Sequence, residues 1–138
     1  MAKQTLLASF VSIASNDLSA YCSKIELKAE VERQDSTTFG SSGWAEKLTG
    51  IRSWELGLTF KQDVAASAID SIMWPLFIAN ASVAAIVRLN SSAVSTSNPN
   101  YSGSIIIGEW MPINGSVGDV AELDVTFEGT GALTRATA

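Results

Sequence analysis

The stretch from Gly50 to Phe77 changes its hydrophobic period partway, and this change constrains the fold more than any other feature. Between Trp54 and Phe60 apolar and polar residues alternate, which is the period of a strand with one buried face. After Gln62 apolar residues recur at three- and four-residue spacing, which is the period of an amphipathic helix. The sequence therefore predicts a strand and a helix that meet at one corner.

We predict this helix over residues 63–74. Asp63 stands where an N-cap side chain would accept from the free N–H groups of the first turn. Pro75 is expected to stop or kink the helix, because proline lacks an N–H and disfavours the α conformation in the residue before it. The side chains expected to pack against the core are Ile69, Ile72 and Met73.

The other apolar patterns indicate strands, so we predict a mainly β fold with six or seven strands and one helix. The clearest alternation lies in residues 24–33, KIELKAEVER. These residues are good helix formers, but a helix would scatter their apolar side chains around its circumference. We predict further strands over residues 5–13, 80–90, 103–111 and 119–129.

The long polar segment over residues 34–49 contains three large apolar side chains. Loops of this length in a compact domain are usually functional or disordered, and a disordered loop has no use for such anchors. We therefore predict an interaction loop. Its anchors are Phe39, Trp44 and Leu48.

A chain of 138 residues has the usual size of one domain, and we expect a single domain over residues 1–138. Within it, residues 1–15 are expected to form an arm or an edge strand, and residues 131–138 a C-terminal tail. The first residues are too polar for a signal peptide, and no segment approaches the ~18 apolar residues of a membrane span. We therefore expect no membrane span and a protein made in the cytoplasm.

The composition argues against catalysis and against nucleic-acid binding. The chain has no histidine, which removes the commonest general base and transition-metal ligand, and it has one cysteine, Cys22. A net charge of −5 with nine scattered basic residues argues against holding a phosphate backbone by counterion release. We expect no enzymatic activity, no cofactor and no metal.

Two groups of carboxylates could in principle form a Ca²⁺ site or a general acid–base pair, since residues i and i+2 of a strand point the same way. We favour the simpler interpretation that these groups are solvated strand faces. The first group is Glu26, Glu30 and Glu32, and the second is Glu122, Asp124 and Glu128.

Four tryptophans leave a second class of function open. Trp54 and Trp74 lie on faces predicted to be core, whereas Trp44 and Trp110 are available to anchor an interface. A monomeric carbohydrate-binding β-sandwich that uses the latter two is therefore an alternative. A sandwich of this size also has free strand edges, which an assembly of identical copies would pair.

Two long runs of the sequence resemble the tail tube proteins of long-tailed bacteriophages. The run Thr37–Leu76 has a T-F-G loop ending in Trp, a G-x-x-x-W-E-L strand, a Q-D corner and a short helix at W-P. The run Ser97–Thr137 has N-P-x-Y-x-G, a proline-bearing turn, G-D and a closing strand that continues into G-x-L-x-R-A. Together they cover somewhat more than half of the chain, and their order is more specific than any single motif.

The resemblance implies a β-sandwich of about six to eight strands with one flanking helix, assembled into hexameric rings. The rings would stack into a hollow tube through which DNA passes without specific binding. The implied partners are other copies of the chain and the tape measure, tail terminator and baseplate or distal tail proteins. The protein would belong to a virion tail assembled in the host cytoplasm. A phage-derived injection device or a gene transfer agent would use the same subunit, so this alternative stays open.

Within that architecture, an acidic inner wall would repel passing DNA and let it slide. We therefore predict that the polar faces of two strands line the lumen and that the interaction loop contacts a neighbouring subunit or the next ring. The predicted lumen residues are Glu55, Thr59, Glu122, Asp124, Thr126 and Glu128, and the predicted interface residues are Phe39, Trp44 and Leu48.

Overall fold

The computed structural model describes residues 3–138, which form seven β-strands and one α-helix. The helix α1 spans Ile69–Ala79, and a 3₁₀ turn at Phe39–Ser41 lies between β3 and β4. The prediction of a mainly β fold with one helix is confirmed. The strands are β1 (Phe10–Ile13), β2 (Asn16–Asp17), β3 (Cys22–Asp35), β4 (Lys47–Lys61), β5 (Ser82–Arg88), β6 (Asn100–Ile106) and β7 (Glu122–Ala136).

All seven strands belong to one antiparallel sheet in the order β2-β1-β5-β6-β7-β4-β3. Its two outermost strands, β2 and β3, are joined by residues 18–21 alone. In a flat sheet they would lie about 29 Å apart, at ~4.8 Å per strand. The chain from Asp17 to Cys22 can span at most about 18 Å. The sheet therefore curls until its ends approach each other, and the two layers of the expected sandwich are opposite halves of one sheet.

The hydrophobic core lies inside this curled sheet. The alternation read from the sequence places every second side chain of Trp54–Phe60 in β4 and of Leu123–Phe127 in β7 on the inner face, where it is buried. Helix α1 packs Ile69 and Met73 against the same core. The buried inner-face residues of the two central strands are Trp54, Leu56, Leu58, Phe60, Leu123, Val125 and Phe127.

Helix α1 begins six residues later than predicted and continues through Pro75. The Asp63 side chain accepts from the Ala65 N–H within a turn instead of capping the helix. Proline at the seventh helical position removes one backbone hydrogen bond, but apolar residues on both sides of it pack against the core. The helix ends at Asn80, which adopts a left-handed conformation.

Two other predictions are corrected by these boundaries. The shift of α1 turns Trp74 toward solvent, where it is 45% exposed and contacts the Phe77 ring. Residues 131–136 are not a tail, because they continue β7 and pair with β6 up to Ala136. The small and polar side chains of residues 131–136 did not indicate a strand. Their pairing depends on β6, which lies about thirty residues earlier in the chain.

The segments predicted as arm and loop are also redefined. Residues 10–13 form β1, which lies between β2 and β5 inside the sheet, so β2 is the edge strand at this end. Residues 3–9 lie outside any strand or helix, and the first two residues of the expected arm lie outside the described range. The loop of residues 34–49 shortens to 36–46, because Asp35 and Lys47 already pair as strand residues.

The indole of Trp54 lies directly against the backbone of two glycines. A Cβ at Gly129 would lie 2.0 Å from Trp54 Cε2, and one at Gly103 would lie 2.6 Å from Trp54 Cζ2. The indole N–H donates to the Gly131 carbonyl at 3.1 Å. These glycines leave room for a side chain that joins β4 to β6 across β7.

We expect Gly129→Ala to lower the free energy of unfolding by about 1–3 kcal/mol, because the new methyl group would displace the Trp54 ring. Urea unfolding followed by tryptophan fluorescence measures this change. Gly57→Ala is the matched control, since its Cβ would meet its nearest neighbours at 3.8 Å. Equal stability of the two variants would show that Trp54 is not held as described.

Candidate functional site: a charged strand face and a projecting hairpin

The outer surface of β3, β4 and β7 forms one continuous polar surface, here called the charged face. Strand pairing places Glu55 opposite Glu128, and Gly57 opposite Thr126. Because alternate residues share a face, this register brings all six predicted lumen residues onto one side of two neighbouring strands. They are Glu55, Thr59, Glu122, Asp124, Thr126 and Glu128.

Strand β3 extends the charged face with residues that the sequence analysis had treated only as a solvated surface. Lys28 lies opposite Glu55, and Glu26 lies opposite Gly57. The alternating charges were visible in the sequence, but only the register shows that they adjoin β4. The charged residues that β3 contributes are Lys24, Glu26, Lys28 and Glu30, so carboxylates outnumber ammonium groups on the whole face.

Several contacts fix side chains on the charged face. Lys61 forms an ion pair with Glu122. The Thr59 hydroxyl donates to the Asp124 carboxylate. Thr59 is only 8% exposed, so this hydrogen bond fixes the Asp124 side chain to a buried residue of β4. Half of the predicted lumen residues are therefore held by a partner on the same face.

Lys28 also has a carboxylate partner, and its environment is strongly acidic. Its ammonium group lies 3.1 Å from the Glu30 carboxylate. The hydrogen bond and charge of Glu30 raise the Lys28 pKa, and the nearby carboxylates of Glu55 and Glu26 add to this effect. Lys28 therefore offsets part of the negative charge on this face.

Glu55 and Glu128 form a directly opposed pair of like charges on β4 and β7. Like charges at directly opposite strand positions are destabilising. Glu128 is exposed and Glu55 is partly buried. This part of the face is therefore acidic at some cost to the stability of the subunit.

The described residues offer no other chemical site of the kinds considered in the sequence. Within residues 3–138 no group of three or more His, Cys, Asp or Glu side chains is arranged to hold a metal ion. The Cys22 thiol donates to the Lys24 carbonyl at 3.1 Å, and burial raises its pKa. Within residues 3–138 no helix is both long enough and apolar enough to cross a membrane.

Strands β3 and β4 extend beyond the rest of the sheet as a hairpin. Strand β7 pairs with β4 only from Glu55 onward, whereas β3 pairs with β4 back to Lys47. The β4 residues 47–53 are all exposed. We call residues 30–53 the hairpin arm.

The tip of the hairpin arm is a structured loop. The Glu46 N–H donates to the Thr37 hydroxyl at 2.8 Å, and the Ser36 N–H donates to the Glu46 carbonyl at 2.9 Å. The Trp44 N–H donates to the Ser41 carbonyl at 3.1 Å next to the 3₁₀ turn. The tip therefore presents its side chains from a defined backbone.

The hairpin arm exposes large apolar side chains, which include the three predicted interface residues. Trp44 is 79% exposed although its backbone is held in place. Exposed apolar clusters of this kind mark interaction sites. The sequence analysis did not predict Ile51. This apolar residue lies at an odd position, out of phase with the buried even positions of β4, and that mismatch could have identified it. The exposed apolar residues of the arm are Phe39, Trp44, Leu48 and Ile51.

The second tryptophan considered for binding has a different environment. Trp110 is only 9% exposed, and its ring packs 6.3 Å from that of Phe60. Its indole N–H donates to Asp70 Oδ1 at 3.1 Å, which ties the segment before β7 to α1. Trp110 and Trp44 therefore do not form a shared surface.

The sequence matches no model of a known protein family and no curated protein. The structure is similar to a chain in the virion of a native gene transfer agent particle, with a TM-score of 0.77, 17% identity, and coverage of 97% of this chain and 99% of that chain. It is also similar to a chain in the tail of an empty gene transfer agent particle with C6 symmetry, with a TM-score of 0.68, 20% identity, and coverage of 86% and 83%. The chain shares the fold of these proteins over nearly its whole length.

We expect Glu128→Gln to raise the free energy of unfolding by about 0.5 kcal/mol at low salt, because it removes the repulsion from Glu55. The gain should shrink in 1 M salt, where charges are screened within ~3 Å. Urea unfolding at both salt concentrations measures it. Asp124→Asn is the control with the opposite sign, since it weakens the hydrogen bond from Thr59. A loss of stability in Glu128→Gln would contradict the assigned repulsion.

Proposed function

We propose that this protein is the major tail tube subunit of a tailed virion or a related particle, and that its copies form stacked hexameric rings. The observation that carries this proposal is the near full-length similarity to chains of a gene transfer agent virion and of a C6-symmetric tail. Both similar structures come from gene transfer agent particles, so such a particle is the alternative assembly that would contain this subunit. In either case the role is structural and not catalytic.

The free edge of the sheet supports an assembled state. Strand β3 is 14 residues long and, within residues 3–138, pairs with β4 on one side only. A long unpaired edge is an aggregation hazard for a monomer. Pairing with an edge of a neighbouring copy would satisfy it and would continue the sheet around a ring.

The charged face is the surface that we assign to the lumen. It is convex, lies on the side of the sheet away from the core, and carries an excess of carboxylates. Repeated around a ring, it would give an acidic wall that repels the DNA backbone, so that DNA passes without binding. The tape measure protein would occupy the same channel before DNA, and terminator and baseplate proteins would meet the tube at its ends.

The hairpin arm is the surface that we assign to contacts between copies. Its large apolar side chains are exposed, and its backbone is ordered by internal hydrogen bonds. The alternative of a monomeric carbohydrate-binding protein loses one of its two tryptophans, because Trp110 is buried. Trp44 without Trp110 beside it is a weaker basis for a sugar platform than for a protein interface.

Negative-stain electron microscopy of the purified protein tests the tube proposal. We expect rings or tubes with sixfold symmetry in the wild-type protein. The double substitution Phe39→Ser with Trp44→Ser should abolish them while leaving the thermal unfolding midpoint within a few degrees, because both side chains are exposed.

The control for this test is Ile78→Ser, which removes another exposed apolar side chain, at the end of α1. We expect this variant to assemble normally. A monodisperse 14.6 kDa wild-type species at high concentration, with or without other tail components, would contradict the proposal.

The lumen assignment is tested separately by reversing charge on the charged face. We expect Thr126→Lys with Glu128→Lys to leave tubes intact and to reduce DNA delivery by the particle, because the wall would attract phosphates. Counting particles by microscopy and transferred genomes by plating separates the two effects. The control is Thr126→Ser with Glu128→Gln. Normal DNA delivery by the lysine variant would place this face away from the channel.

A further inference from the structure

Asn114 attaches the exposed loop between β6 and β7 to the start of β7. Its side-chain N–H donates to the Glu122 carbonyl at 2.8 Å, and its own carbonyl accepts from the Glu122 N–H at 3.4 Å. Gln62 makes two further bonds to this loop, donating to the Pro112 carbonyl at 2.7 Å and to the Ala121 carbonyl at 2.9 Å. The Asn114 amide therefore holds the middle of the loop against the first residue of β7.

The residue after Asn114 is a glycine whose backbone nitrogen is accessible. Gly115 has a φ of 153°, a conformation that a residue with a side chain rarely adopts. Both residues are exposed, and within residues 3–138 the Gly115 N–H donates to no other group. Because glycine has no Cβ, nothing on Gly115 obstructs the approach of its nitrogen to the side-chain amide of Asn114.

The other asparagines are protected from the same attack. Asn98 is 3% exposed, its side chain donates to three backbone carbonyls, and the Pro99 that follows has no N–H to lose. Asn90 is followed by Ser91, and its side-chain oxygen accepts from the Ser92 N–H at 2.9 Å. The remaining asparagines, each followed by a residue that carries a Cβ, are Asn16, Asn80 and Asn100.

We infer that Asn114 is a site of spontaneous covalent modification, at which the side-chain amide is lost and a carboxylate replaces it. The deprotonated Gly115 nitrogen attacks Cγ of Asn114, a C–N bond forms, the bond from Cγ to Nδ2 breaks, and the amide nitrogen leaves as ammonia. Water then opens the five-membered imide at either of its two carbonyls, which gives aspartate or isoaspartate. The reaction consumes only water, and it is independent of the proposed function.

The product changes how the loop is held. An ionised carboxylate can only accept hydrogen bonds, so it cannot replace the donor that Asn114 offers to the Glu122 carbonyl. It also adds a negative charge close to Glu122, whose carboxylate already pairs with Lys61. Isoaspartate in addition lengthens the backbone by one carbon. The loop is expected to loosen at β7, while the bonds from Gln62 remain.

Incubation of the purified, folded protein in mildly alkaline buffer tests the modification. Cleavage after glutamate releases the peptide of residues 110–122, in which Asn114 is the one amide side chain. We expect this peptide to gain one mass unit with time and to separate into an aspartate and an isoaspartate form. The gain should be faster at higher pH, because the attacking nitrogen must be deprotonated.

The peptide of residues 56–109 is the internal control, since it contains four other asparagines and should keep its mass. Asn114→Gln is the matched variant, because its longer side chain would have to close a six-membered ring, and its peptide should also keep its mass. An unchanged wild-type peptide 110–122 would overturn the inference. Aspartate without isoaspartate would overturn the attack by Gly115, since direct hydrolysis gives aspartate alone.

Hydrogen exchange measures the effect on the loop. Asn114→Asp should speed exchange of the Glu122 N–H about fivefold, because the side-chain bond to the same residue is lost. Ser116→Asp is the matched control, since it adds the same charge at an exposed position and keeps the Asn114 amide. Equal exchange in Asn114→Asp and the wild-type protein, or equal acceleration in both variants, would overturn the role assigned to this amide.

Discussion

The link of residues 18–21 constrains the whole molecule, because it joins the two strands that lie at opposite ends of the sheet order. A sheet whose ends are tied so closely must curl, and curling separates a concave inner face from a convex outer one. The inner face closes over the apolar residues and needs only one helix to cover it. The outer face remains polar along β3, β4 and β7. Trp54 reinforces the curl, because it bridges three strands over two glycines that a larger residue could not replace.

Strand β4 links the fold to the surfaces that we assign to function. From Glu55 to Lys61 it lies between β3 and β7, with one face in the core and the other on the charged face. From Lys47 to Ser53 it pairs with β3 alone and forms half of the hairpin arm. A single strand therefore contributes to the core, the candidate lumen and the candidate contact between copies. Substitutions near Glu55 are expected to affect more than one of these.

Much of this structure follows from the period of the sequence. Alternation identified the strands and the buried side of β4 and β7, and it placed the predicted lumen residues on the polar faces of two strands, which the pairing of β4 with β7 then brings together. The errors arose where local signals were ambiguous. Residues 64–68 are small and fit either a helix or a turn, and Pro75 was read as a boundary although helix α1 accommodates it through packing. Residues 131–136 and Trp110 could not be placed, because their partners on β6 and α1 are distant in sequence.

The like charges of the outer strand face are a cost that an isolated subunit does not need. The opposed carboxylates Glu55 and Glu128 lie on this face and have no role in the core. In a stacked tube they would remain in the channel, where an excess of carboxylates would repel the phosphates of passing DNA. The same charges that weaken the single subunit would therefore serve the proposed conduit.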